Sequence, residues 1–183
     1  MAIANTPDLT IPEHVAARWR NERPDLDHGG LELVLRFRAI AMVIDHENAR
    51  IARTKGIETE DVLLLSALRR RGPEFCLRPT DIGGILNITS GTVTVRIERL
   101  IRRGLAEREK DPTDGRSFLI RLSPKGRSVI DDVITHMAQL SSHVIAESEL
   151  GTVGVATLKE CLHRFETGWQ RVIPEDEYPL NKG

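Results

Sequence analysis

Aromatic residues are scarce in this chain: Phe, Trp and Tyr make up 4% of 183 residues, so apolar packing must rest on Leu, Ile and Val. Cysteine is rarer still. Cys76 and Cys161 stand far apart, which excludes a disulfide framework and a spaced metal motif. No apolar run approaches the roughly 18 residues that a membrane-spanning helix needs. The N-terminus shows no basic start followed by an apolar block, so no secretory signal is read and the cytoplasm is the expected location. The histidines are scattered, and His136 and His143 fall two turns apart on one predicted helix, so no metal is expected. A Gly-rich phosphate loop, a Gly-x-Ser-x-Gly elbow and paired carboxylates beside a base are all missing. Neither catalysis nor a cofactor is therefore expected.

Net charge is also nearly absent, at −1, but it is unevenly spread. Residues 69–127 carry a local charge of +7 and the remainder −8. A polyanion would attract the first segment and repel the rest, which would orient the chain on a phosphate backbone.

What is present is mostly helical periodicity. A short helix is predicted over 12–23, with Pro12 in its first turn and Pro24 as its stop. A long one follows over 31–53, with Leu33, Phe37, Ile40, Ile44 and Ile51 on one stripe. Thr59-Glu60-Asp61 caps a helix carrying Val62, Leu64, Leu65 and Leu68, which Gly72-Pro73 stops. Two short helices, 81–86 and 90–103, are separated at Asn87. Gly104 ends the second, and strands 105–110 and 118–122 form a two-stranded hairpin. Pro124 opens a long helix with Ile130, Ile134, Met137 and Val144 along one side. The last helix, beyond a break near Gly151 and Gly154, carries Leu158, Leu162, Phe165 and Trp169.

Two short helices followed by a hairpin read as a winged helix-turn-helix, which sets one helix in a DNA groove and a basic loop beside it. The fold expected is mainly α with a small β-hairpin wing. In this reading residues 1–183 form a single domain, with the DNA-binding part over 57–122 and helical dimerisation parts over 10–55 and 124–172. Thr92, Arg96, Arg99 and Arg103 lie at four-three-four spacing, opposite Val93, Ile97 and Leu100. Residues near the start of such a helix enter a groove deepest, so Ser90, Thr92, Thr94, Arg96 and Arg99 are the expected DNA contacts. At the hairpin tip, Asp111-Pro112 and Asp114-Gly115 present Arg116 to a minor groove, with Asp114 placed to hold its guanidinium. The flanking helices carry more apolar surface than one small winged domain can cover, so a homodimer is expected.

The run Asp114-Gly115-Arg116-Ser117-Phe118-Leu119-Ile120-Arg121-Leu122-Ser123-Pro124-Lys125-Gly126, with Thr80-Asp81-Ile82 and the segment from Arg96 to Leu105 upstream, resembles the MarR family over roughly residues 31–170. The resemblance implies dimers of winged-helix subunits, usually repressors released by a small ligand. The N-terminal helix around Trp19 resembles the extension of the family's urate-responsive branch. That likeness implies a ligand site from Trp19, Arg96 and Arg108. The branch's Asp falls on Leu63 here, with Asp61 two residues earlier, so an aromatic or carboxylate-bearing metabolite other than urate is expected. The function expected is a ligand-responsive repressor that binds a pseudo-palindromic double-stranded DNA operator. The alternatives are an activator, a redox sensor acting through Cys76, and a winged-helix protein-interaction module.

Overall fold

The computed structural model describes residues 11–72, 75–114 and 117–173. Arg116, the expected wing tip, lies outside the described residues. The chain divides into two compact units, Met1–Thr54 and Lys55–Gly183.

The first unit is a helical hairpin of α1 (Ile11–Glu22) and α2 (Gly29–Thr54). Its helices run antiparallel, since Arg20 pairs with Glu32 at 3.2 Å and Arg36 reaches Glu13 at 3.8 Å. The side chain of Asp27 accepts from Gly29 N–H at 3.0 Å and closes the entry to α2. The stripe expected on α2 is there, but Leu33, Ile40 and Ile44 are exposed while Ile51 is buried.

The second unit holds α3 (Thr59–Arg69), β1 (Cys76–Leu77), α4 (Pro79–Leu86), α5 (Ser90–Arg102), β2 (Ala106–Lys110), β3 (Phe118–Leu122), α6 (Pro124–Glu147) and α7 (Gly151–Val172). The expected two-stranded hairpin is an antiparallel sheet of three strands in the order β1-β3-β2. In it Arg108 faces Ile120, and Cys76 faces Arg121. A two-residue strand has no periodicity to read, which is why β1 was not foreseen. Leu64, Leu65, Leu68, Leu77, Ile82, Ile97, Leu100, Ile120 and Ile130 form the core. The N-cap of α3 is Glu58, one residue before the expected cap, and α7 starts at Gly151 and continues through Gly154.

Asn87, at φ 50°, closes α4. Gly104, at φ 68°, closes α5 in a Schellman arrangement: its N–H donates to Ile101 O, and Leu105 N–H donates to Leu100 O, each at 2.9 Å. The exposed carbonyls of this turn are then taken by the start of α6. Ser123 Oγ donates to Gly104 O at 2.7 Å and accepts from Gly126 N–H at 2.9 Å, while Lys125 Nζ donates to Arg103 O at 2.9 Å. The approach is so close that a Cβ on Gly126 would stand 1.9 Å from the Leu105 carbonyl oxygen.

Gly126→Ala should therefore force the α5–α6 junction apart and cost about 2 kcal/mol or more in urea unfolding. Gly91→Ala, where a Cβ meets nothing within 4 Å, should instead raise stability by roughly 0.5–1 kcal/mol through helix propensity.

Candidate nucleic-acid interface

The second helix of the turn, α5, is pinned by one buried charge. Asp61, in the first turn of α3, is 0% exposed. Its Oδ1 accepts from Arg99 Nε at 2.9 Å and Nη2 at 2.5 Å. Its Oδ2 accepts from Arg103 Nη1 at 3.4 Å and from Glu58 N–H at 3.2 Å. A buried carboxylate without such partners would cost several kcal/mol in lost hydration. Arg99, expected to reach DNA, is therefore turned toward α3 and held there.

This pairing sets which side of α5 faces out. Thr92, Arg96, Arg99 and Arg103, expected as the outer polar face, are all half-buried on one flank. The exposed residues are Ser90, Gly91, Thr94, Val95 and Arg102, with Val95 at 64%. Thr89 is the N-cap: its Oγ1 accepts from Thr92 N–H at 3.4 Å and shares a hydrogen bond with Thr92 Oγ1 at 3.0 Å. Thr94 Oγ1 donates to Ser90 O at 3.0 Å. Arg96 has no ion-pair partner among the described residues.

At the wing, Asp111, three residues before Asp114, is an ordering carboxylate. Asp111 is buried and accepts from Thr113 N–H at 2.8 Å and Thr113 Oγ1 at 2.6 Å, an Asx turn. Arg78, the N-cap of α4, donates to it through Nε at 2.8 Å, and Ser117 Oγ adds a bond at 3.2 Å. The wing is thus anchored to the start of the helix-turn-helix. Asp-Pro-Thr was the available sequence signal, but nothing in the sequence pairs Arg78 with it. The Thr113 hydroxyl, then its N–H, then the Arg78 guanidinium hold the Asp111 carboxyl well below the usual carboxylate range.

The residues expected to hold a ligand fall in both units. Trp19 lies on α1, 48% exposed. Arg108, on β2, pairs with Glu98 of α5, and its guanidinium lies 4.8 Å over the Phe118 ring. Leu63, on which the expected Asp of that resemblance falls, is 52% exposed, whereas Asp61 is committed to Arg99 and Arg103. Cys76 is half-buried in β1. Among the described residues no group of His, Cys, Asp and Glu is placed to hold a metal, and no helix is long and apolar enough to cross a membrane.

A model of the MarR family matches residues 55–117. Over 120 residues the chain is 30% identical to the HTH-type transcriptional regulator PecS of Dickeya dadantii (strain 3937), covering 66% of this chain and 72% of PecS. A solved MarR family protein from Bacillus stearothermophilus superposes with a TM-score of 0.67 at 21% identity, covering 79% of this chain and 98% of that one. A mutant MepR from S. aureus, solved bound to an oligodeoxyribonucleotide, gives 0.54 at 21% identity, covering 73% of this chain and 95% of MepR. At such identities the structural likeness speaks for the fold alone.

Asp61→Ala should strand Arg99 and Arg103 and destabilise the protein by about 3 kcal/mol, near the low end for a broken buried pair because both guanidinium groups are part-exposed. A double-mutant cycle with Arg99→Ala checks the coupling. For Asp111 the folded carboxyl titrates below its unfolded value of about 3.9, so its stabilisation is present above that pH and is lost as pH falls below it. Urea unfolding from pH 6 to pH 2 should therefore show the wild type losing more stability than Asp111→Asn below about pH 4.

Proposed function

The chain belongs to the MarR family of DNA-binding transcription regulators, and we propose that it binds a pseudo-palindromic operator as a homodimer and represses transcription until a small aromatic or anionic metabolite releases it. The observation that carries the DNA reading is the outward side of α5. A side chain bonded inward on the α3 flank, an apolar side in the core and an exposed face beside a wing make a rod presented for a groove. The surrounding segment, residues 69–127, carries a net charge of +7, with Arg102 exposed on the outer face. In this reading Ser90, Thr94 and Arg102 meet DNA, Arg96 reaches it from the flank, and Arg116, outside the described residues, is a further contact. Thr92 supports the helix start, and Arg99 holds the helix to α3.

The homodimer is supported by apolar surface that each unit leaves uncovered. On α2, Leu31, Val34, Ile40, Met42 and Ile44 are exposed. No residue of α7 is buried, and Leu158, Trp169 and Val172 are exposed along it. The far half of α6 adds Val144 and Ile145. At about 25 cal/mol per Å² of apolar surface, a two-fold partner would recover a large driving force from these faces. The effector class rests on the chemistry of each unit taken by itself: in the first, Trp19 offers a flat stacking surface, and in the second, Arg96 offers a charge-matched fork for an anion.

Titrating a labelled duplex taken from upstream of its own gene, at several salt concentrations, tests the proposal. A sequence-specific footprint with two half-sites about 10 base pairs apart is expected, with affinity falling steeply as salt rises. Arg102→Ala should make the log–log slope shallower by about 1, and Arg99→Ala should leave the slope unchanged once folding is confirmed by circular dichroism. Binding blind to salt and sequence would overturn the reading.

A further inference from the structure

We propose that Val95 is a specificity-determining residue that reads the 5-methyl group of a thymine in the major groove. The inference rests on the DNA-binding reading above. Val95 sits mid-helix on α5, 64% exposed, on the side opposite the buried Val93, Ile97 and Leu100. A β-branched apolar residue is a poor choice there if the face only needs hydrating, because it lowers helix propensity and leaves two methyl groups wet.

Its neighbours narrow what this face can recognise. One turn earlier stands Gly91, where a Cβ would meet nothing within 4 Å, so the backbone itself can come close to a groove floor. The hydroxyls of Thr92 and Thr94 are both engaged in hydrogen bonds at the helix start. Glu98, the outward residue that could accept from a cytosine amine, is paired with Arg108. Ahead of Arg102, this face therefore carries none of the Asn, Gln or Arg donors that recognise adenine or guanine by paired hydrogen bonds. Among base-edge features in the major groove, hydrocarbon discriminates one: the thymine methyl.

The test begins by selecting duplexes from a randomised library with the wild-type protein. The enriched duplex is then remade with deoxyuridine replacing each thymidine singly, which deletes one methyl and no hydrogen-bonding group. At one thymine per half-site, uracil should weaken wild-type binding about three- to fivefold, the size of one buried methyl. Val95→Ala, an exposed change that favours the helix, should bind the thymine and uracil duplexes equally. Val95→Thr, which keeps one methyl, should stay sensitive. Affinity for a random duplex and the salt slope should be the same for Val95→Ala and wild type. A flat uracil scan in the wild type, or full thymine preference in Val95→Ala, overturns the assignment of Val95 while leaving DNA binding intact. A library that yields no enriched duplex overturns the regulator reading as well, so the two failures are distinct.

Discussion

The Asp61 carboxylate is the constraint on which the interface depends. Hydrophobic contact through Val93, Ile97 and Leu100 keeps that stripe of α5 in the core, but burial of apolar area is non-directional and sets the roll only within the width of the stripe. The pairing of one carboxylate with Arg99, Arg103 and the Glu58 N–H is directional, and it accepts one roll angle. Turning α5 by even one residue, about 100°, would carry Arg99 away from Asp61 and leave a buried charge unpaired. The outward face is thus fixed by the buried stripe together with an ion pair on the adjacent flank, rather than by the residues that compose it.

That division explains what was legible in the sequence. Helix ends at Asn87 and Gly104, the hairpin arms and the long terminal helices follow from local rules: left-handed residues end helices, and apolar spacing marks faces. The mainly α fold with a small wing was legible on the same grounds. The inward side of α5, Val93, Ile97 and Leu100, was legible as well, but which polar flank faces out was not, because polar residues fill both flanks of that stripe. The deciding partner lies 38 positions away from Arg99 and belongs to another helix. The same limit applies to the wing, where Asp114 and Asp111 are both turn residues in sequence. Only the fold brings Arg78, 33 positions earlier, to Asp111.

The end of α5 and the start of α6 behave as one piece. Three successive carbonyls at the close of α5, from Arg103 to Leu105, are occupied by Lys125 Nζ, Ser123 Oγ and Ser123 N–H. The missing side chain of Gly126 is what allows the two backbones to meet. Protein interiors resist continuous deformation, so a junction packed this closely transmits displacement instead of absorbing it. A change in the direction of α6 would carry the close of α5 with it.

The long helices then acquire a role beyond covering apolar surface. Ile130 and Val133 bind the first turns of α6 into the core, whereas Ile134, Val144 and Ile145 beyond them are exposed. One end of this helix is locked to the helix-turn-helix, and the other carries the apolar residues that a second copy would cover. In a two-fold dimer, the spacing between the two recognition helices would follow from how the far ends of the α6 helices pack together. A ligand needs only to favour one packing over another to change the fit to two half-sites, because its leverage equals its difference in affinity for the two arrangements. Affinity for DNA would then respond to an event far from the groove without any base-contacting side chain being touched.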